Sequence, residues 1–179
     1  MTTNALSLMD VYRGWDGYQS ALVQAIGPRT PAELAWRGAA RLRSVGEIAS
    51  HVSSGRAGWF HHGLGEGGAE FAREIAEWRP EAAIVEDAAE LVRRLEVTWR
   101  VVEAALRRWT TEDLATTFRH EYQGRTYDVP RQWVVWRVLT HDVHHGGELA
   151  LALGVQGIAI PELGDQGGHL TELAEVETP

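Results

Sequence analysis

Apolar residues recur at intervals of three and four positions in four long segments of the chain, which is the pattern of an amphipathic helix. The segments cover residues 5–26, 44–59, 82–109 and about 131–153. Four long helices, each with one apolar face, pack most simply as a four-helix bundle. The sequence therefore predicts an all-α protein with that architecture.

Capping residues mark several of the predicted helix ends. Ser44 and Glu47 form a Ser-x-x-Glu capping box at the start of the second helix. Pro130 suits the start of the last helix, because its missing N–H and fixed φ are tolerated in a first turn. Gly154 is predicted to end that helix.

Two stretches between the predicted helices lack helical periodicity. Residues 61–70, HHGLGEGGAE, are rich in glycine and predict a loop. Residues 116–130, TTFRHEYQGRTYDVP, place Thr, Phe and Tyr around a Gln-Gly pair and predict a small β-hairpin before the last helix. We expect residues 1–155 to form one bundle domain and residues 156–179 to be a C-terminal loop and tail.

Composition narrows the classes of function. The net charge of −8, without a basic stripe, argues against a general role in binding nucleic acid or anionic membranes. The absence of cysteine excludes disulfides, thiolate metal ligands and a cysteine nucleophile. No apolar run approaches the roughly 20 residues that span a bilayer, and the N-terminal segment lacks the pattern of a signal peptide. We expect a cytoplasmic protein.

Three histidines lie in the stretch THDVHHGGELALAL, residues 140–153. His141 and His145 are four positions apart, and at about 100° per residue both fall on the apolar stripe of the last helix. His144 falls outside that stripe. A further histidine, His51, lies among the apolar residues of the second helix. We predict that His51, His141 and His145 converge on one metal ion between the two helices.

The residue types indicate the kind of ion. Three neutral imidazoles suit zinc, nickel, copper or iron(II), whereas calcium and magnesium prefer oxygen ligands. Zinc or nickel is the expected ion, and ligand type does not choose between them. Three protein ligands leave a coordination position open, as in catalytic sites. The alternative for each ring is a core histidine that is satisfied by hydrogen bonds alone.

Two acidic residues lie close to the predicted ligands along the chain. Glu148, three residues after His145, is a candidate for accepting a ring N–H and fixing the tautomer of a ligand. Glu47, one turn before His51, is already explained by its capping box. The remaining histidines are expected at the surface or in the tail, and they are His61, His62, His120 and His169.

These motifs carry a resemblance to a known family. The capped helix with His51, a long third helix, a hairpin and the stretch VLTHDVHHGGELALAL together resemble the DinB-like (YfiT-like) metalloenzyme family over about residues 5–155. Its helix-4 motif is close to His-x-x-His-His-Arg-Gly-Gln. Here residues 141–148 are His-Asp-Val-His-His-Gly-Gly-Glu, so Gly146 stands in place of the usual Arg and Glu148 in place of the usual Gln.

The resemblance implies a four-helix bundle, often dimeric, with metal-binding histidines at His51, His141 and His145. It also implies chemistry on a small molecule, because some relatives resemble S-transferases or isomerases that use bacillithiol, mycothiol or glutathione. The resulting hypothesis is a metal-dependent enzyme that transfers a thiol to a small molecule or hydrolyses it. The ion would lower the pKa of a bound water or thiol.

Two alternatives belong to other classes. In the first, the bundle is not catalytic, and its metal stabilises the fold or serves in binding a partner. In the second, the bundle holds a carboxylate-bridged di-iron centre. That centre uses Glu-x-x-His pairs on two helices, and the nearest pattern here is Asp142-x-x-His145. A bis-histidine haem site fits three converging histidines less well than a bare ion does.

Overall fold

Seven α-helices and one antiparallel hairpin make up the part of the chain that the computed structural model describes, which is residues 7–160 and residue 163. The helices are α1 Leu8–Val11, α2 Trp15–Ile26, α3 Pro31–Ala35, α4 Val45–Arg56, α5 Gly68–Ala76, α6 Ala88–Arg108 and α7 Arg131–Val155. Strands β1, Thr117–Tyr122, and β2, Arg125–Pro130, pair from Thr117 opposite Pro130 to Tyr122 opposite Arg125. The predicted mainly helical fold, with a small hairpin before the last helix, is confirmed.

The first predicted helix is divided into two pieces. Helix α1 ends at Val11, and α2 begins only at Trp15. Between them Gly14 has a φ of 101°, a left-handed conformation that glycine adopts without steric cost. Leu8 and Met9 of α1 are buried, as are most of the apolar residues of α2. The apolar pattern of the sequence therefore continues from one helix to the next although the backbone is broken between them. Prediction of one continuous helix over 5–26 was therefore wrong.

The glycine-rich segment is more helical than predicted. Helix α4 continues directly into a π-helical turn at Ala57–Gly63, and α5 begins at Gly68, so only the short turn between them is a loop. The prediction of a loop over 61–70 was wrong at both ends. The reason is tertiary packing, since Phe60 and Phe71 are buried in the same apolar cluster on either side of the turn.

Two further helix ends differ from the sequence pattern. Helix α6 begins at Ala88 rather than at residue 82, because the side chain of Asp87 accepts a hydrogen bond from the backbone N–H of Glu90 at 3.1 Å and caps the helix there. Helix α7 runs through Gly154 to Val155, so the prediction that Gly154 ends it was wrong.

The four longest helices pack against one another around two apolar clusters. Helix α4 contacts both α6 and α7, and α2 contacts the same two helices. One cluster includes Trp15, Phe60 and Trp99, and the other includes Leu22 and Leu149. No helix within the described ranges is long and apolar enough to cross a membrane.

The predicted tail lies only partly within the described residues. Helix α7 is followed by a turn, after which Ile158 and Ile160 pack against the second cluster. Leu163 is buried in that cluster. Residues 161, 162 and 164–179 lie outside the described part of the chain, and so does the predicted tail histidine His169.

Candidate metal centre

The structure brings the three predicted histidines together between α4 and α7. The Nε2 atoms of His51 and His141 are 3.2 Å apart. The ring centroid of His51 lies 4.8 Å from that of His141 and 4.7 Å from that of His145, and the latter two are 4.4 Å apart. One nitrogen from each ring lies within 4.8 Å of the others. We call these three residues the histidine triad.

The antiparallel packing of α4 and α7 produces this geometry. The capping box predicted from the sequence begins α4, with the Ser44 N–H donating to Glu47 Oε2 at 2.6 Å and the Glu47 N–H donating to Ser44 Oγ at 3.2 Å. Two turns into α4, His51 faces the rings of His141 and His145, which are one helical turn apart on α7. The position of His51 along α4 and the four-residue spacing on α7 therefore bring the three rings together.

Gly55 makes room for the ring of His141. A Cβ atom at position 55 would lie 2.7 Å from His141 Cε1, closer than carbon atoms approach without one of them moving. A side chain here would push the His141 ring away from His51. The sequence analysis missed this residue, although a glycine one helical turn after a predicted ligand is a signal that could have identified it.

Glu148 holds the ring of His145. His145 Nδ1 lies 2.6 Å from Glu148 Oε2, so the Nδ1–H donates to the carboxylate and Nε2 is left as the acceptor. Glu148 therefore lies where the sequence analysis placed it, beside a predicted ligand. Glu47 instead serves its cap, as the sequence analysis predicts, and also pairs with Arg37 at 2.9 Å.

A buried charged cluster lies directly behind His141. Asp142 Oδ2 accepts hydrogen bonds at 2.9 Å from Arg56 Nε and from Trp15 Nε1. Arg56 also donates from Nη1 to Gln19 Oε1 at 2.5 Å. We call Arg56, Asp142, Trp15 and Gln19 the ion-pair cluster. The sequence analysis did not single out this pairing, because its partners are far apart in the chain and no local pattern connects them.

The histidine triad and the ion-pair cluster each contain a buried polar atom that lacks a hydrogen bond. Among the described residues, the buried His141 Nδ1 and Asp142 Oδ1 have no hydrogen-bond partner. They lie 3.9 Å apart, too far for a direct bond. A small rotation of the His141 ring would let its Nδ1–H donate to Asp142, which would leave Nε2 as the acceptor facing His51.

Burial keeps two of the triad imidazoles in their neutral form. Loss of solvent, together with the charges of Arg43 and of the neighbouring histidines, lowers the pKa of His51 to about 4. Burial also lowers the pKa of His145, against the opposing effect of its hydrogen bond to Glu148. Neutral imidazole is the form that binds metal ions.

One pair of triad nitrogens has the separation found in transition-metal sites. Nitrogen ligands bound to one tetrahedral zinc at about 2.0–2.1 Å lie about 3.3 Å from one another. The 3.2 Å between the Nε2 atoms of His51 and His141 is close to that value. The donor set consists of imidazole nitrogens, which zinc and nickel accept readily. The donor chemistry and this one distance fit the expected ion, and the three nitrogens as a set lie within 4.8 Å of one another.

The other histidines lie outside the triad. His144 is largely exposed, with Nε2 3.3 Å from Glu148 Oε1, as its position off the apolar stripe predicts. His62 is exposed, as expected, but His61 is half-buried, because its Nδ1 lies 2.6 Å from the carbonyl oxygen of Glu66. His120 lies half-buried on β1, with its ring centroid 5.0 Å from that of Trp59.

Tyr18 fills the space beside Gly146. The Tyr18 hydroxyl donates to the carbonyl oxygen of Val143 at 3.2 Å. A Cβ atom at position 146 would lie 1.9 Å from that hydroxyl. The tyrosine therefore occupies the space that any side chain at this position would need.

Fold and site together define a helical protein with a histidine cluster between two packed helices. The chain belongs to the DinB superfamily, whose family model matches residues 15–149. That match includes all three residues of the histidine triad. A search of curated proteins found no match to this chain.

Proposed function

We propose that this protein is a metal-dependent enzyme in which His51, His141 and His145 hold a divalent transition ion, zinc or nickel. The observation that carries the proposal is the convergence of three imidazole nitrogens within 4.8 Å, contributed by two helices. Membership of the DinB superfamily supports it further. We also propose that α2, α4, α6 and α7 form the four-helix bundle expected of that family, which their mutual contacts support.

Three protein ligands leave room for a fourth that comes from solvent or substrate. When bound, the ion would lower the pKa of a water or thiol in that position and supply a nucleophile at neutral pH. The chain has no cysteine, so a thiol would have to come from a low-molecular-weight cofactor. The proposed reactions are therefore thiol transfer to, or hydrolysis of, an electrophilic small molecule.

The protein's own residues orient the site. Glu148 accepts the Nδ1–H of His145 and leaves Nε2 of that ring free to bind an ion. The close contact at Gly55 limits the positions that the His141 ring can take. Asp142, held by Arg56, lies behind the His141 ring and can accept its Nδ1–H. These contacts restrain two of the three ligand rings, those of His141 and His145, before an ion arrives, which lowers the cost of binding it.

The first experiment is elemental analysis of the purified protein alongside the His51→Ala, His141→Ala and His145→Ala variants. We expect close to one zinc or nickel per parent chain and loss of metal in each variant. His144→Ala is the matched control, because His144 is adjacent in the chain but exposed, and this variant should keep the metal. A parent protein that takes up neither zinc nor nickel on dialysis would overturn the proposed site.

Activity assays then separate an enzyme from a metal-stabilised scaffold. Thiol-transfer and hydrolase assays should show turnover with loaded protein and loss after chelation. If chelation lowers the melting temperature and no turnover is found with loaded protein, the metal has a structural role and the enzymatic part of the proposal is wrong.

A further inference from the structure

An aromatic cleft of about 530 Å³ lies beside the hairpin, away from the histidine triad. It is bounded by the hairpin, by the π-helical turn that follows α4, and by the first two turns of α7. Its aromatic walls come from Trp59, His120, Tyr122, Tyr127 and Trp133. The volume is that of a typical small-molecule site.

The hairpin register creates one aromatic face. Side chains alternate between the two faces of a strand, so His120 and Tyr122 of β1 share a face. Tyr127 of β2 lies directly opposite His120 and therefore joins that face. Asp128, which also borders the cleft, is in register with Arg119 and belongs to the opposite face. The hairpin side chains that share the face of His120 are thus aromatic, and Asp128 is the one acidic residue in the part of the lining that the structure describes.

The chain does not bury these rings by itself. Tyr122 is 59% exposed, Tyr127 44% and Trp133 37%. Trp59 anchors the group, with ring centroids 5.1 Å from Trp133 and 5.0 Å from His120. Aromatic surface gathered in a concave site gives a flat ring an apolar surface on which to stack.

One cationic side chain lines the cleft without a counter-ion. Arg137 borders it from α7, and its guanidinium forms no hydrogen bond or ion pair with any residue in the described ranges. A guanidinium binds a carboxylate through paired N–H donors, which fixes both position and orientation. The lining therefore combines stacking surface with a site for one negative charge.

The cleft and the histidine triad lie along the same two helices. His51 contacts His141 and His145, and Gly55, one turn later, lies against His141. Trp59, in the π-helical turn after α4, contacts Trp133. Later positions along α4 and this turn therefore meet earlier positions along α7. Arg137 is one turn before His141. The cleft rings are about two turns, or roughly 12 Å, along the helices from the histidines.

We infer that this cleft binds a planar aromatic carboxylate, with the ring against Trp59 and Trp133 and the carboxylate on Arg137. Binding there does not depend on the metal. In the enzyme proposed above, the cleft would hold the aromatic part of the substrate. This role, unlike the binding itself, rests on the proposed function.

Calorimetric titration of the metal-free, full-length protein tests the inference with a matched pair of probes, naphthalene carboxylate and the neutral naphthalene carboxamide. We expect the carboxylate to bind about tenfold more tightly, which is the difference typical of a charge-assisted hydrogen bond. Arg137→Gln should remove that difference and leave the carboxamide unaffected. Trp133→Ala should weaken both probes.

Two control variants make the result specific. Arg119→Gln removes a cation from the opposite face of the hairpin and should change neither affinity. His51→Ala should also bind both probes as the parent does, because the triad is not part of the cleft. Equal binding of the two probes, no carboxylate binding at about 1 mM, or unchanged binding by Arg137→Gln would overturn the inference. Loss of binding in His51→Ala would also overturn it, since the acid would then occupy the triad.

The two proposals fail separately. Carboxylate binding by a parent protein that takes up no metal would leave the cleft in place and refute only the metal site. Stoichiometric metal without carboxylate binding would refute the cleft alone.

Discussion

Helices α4 and α7 hold two polar clusters that are neighbours in space and opposite in character. In the ion-pair cluster, Arg56 and Asp142 are completely buried, and each forms hydrogen bonds to other side chains as well as to the other. In the histidine triad, the rings face one another, and His51 is only half-buried. His141 and Asp142, adjacent in the chain, belong to different clusters.

The difference shows how burial and partners separate a structural cluster from a binding site. Burial alone would raise the pKa of Asp142, but the charge of Arg56 and the hydrogen bonds that the carboxylate accepts together outweigh burial and lower that pKa, so the carboxylate stays ionised. Burial lowers the pKa of His51, and no side chain of opposite charge contacts this ring among the described residues. The two charges of the ion-pair cluster are matched within the protein, and only Asp142 Oδ1 of its carboxylate lacks a hydrogen bond among the described residues. In the proposed site, a bound cation would be the partner that the triad lacks.

The largest expected difference between the clusters is in folding stability. Asp142→Ala leaves a buried, unpaired guanidinium and should lower the free energy of unfolding by about 3–5 kcal/mol. His51→Ala, which removes a half-buried neutral ring, should cost far less in metal-free protein. Denaturant titration of both variants without metal measures this. Similar losses in the two variants would show that the triad is part of the structural core.

Metal affinity should depend on the hydrogen bond to Glu148. Glu148→Gln weakens the acceptor for His145 Nδ1–H and should lower zinc affinity about 10–100-fold. Glu47→Gln is the matched control, because glutamine preserves a capping box and Glu47 does not contact the triad. Competition with a chromophoric chelator gives both affinities. Equal values for the two variants would remove Glu148 from the site.

A smaller effect is expected from the close contact at Gly55. Gly55→Ala places a methyl group against the His141 ring and should lower zinc affinity severalfold with all three ligands still present. Gly147→Ala is the control, since a Cβ there meets no atom within 4 Å. That variant should keep the parent affinity and gain up to about 1 kcal/mol of stability from helix propensity. The same chelator competition and denaturant titration measure these effects, and parent-like zinc affinity in Gly55→Ala would contradict the steric argument.

A pH dependence should also separate the two clusters in metal-free protein. The pKa of His51 falls from 6.5 to about 4 on folding, so the unfolded chain binds a proton more readily than the folded one. Stability should fall as the pH drops from about 6.5 towards 4, and His51→Gln should reduce this slope. Asp142, whose pKa is lowered from 3.8, loses its contribution only below that pH. Denaturation midpoints at several pH values measure both, and an unchanged slope in His51→Gln would contradict the assignment.

Local pattern was sufficient to predict much of the candidate site. The four-residue spacing of His141 and His145 indicated a shared face, and the position of Glu148 indicated a hydrogen bond to one of them. The same reasoning could not find the pairing of Arg56 with Asp142, because 86 positions separate them and each is also plausible as a surface charge. Nor could it predict that Tyr18 occupies the space beside Gly146.

The sequence by itself determined the helices, their capping residues, the hairpin and the histidine spacing, because these depend on contacts within a few residues. Tertiary structure decided that α4 continues as a π-helical turn, that the chain breaks at Gly14, and that His51 meets His141. It also decided that the charge of Arg56 is buried against that of Asp142. These outcomes depend on packing between distant segments, where one close contact or one buried partner outweighs the local preference of the chain.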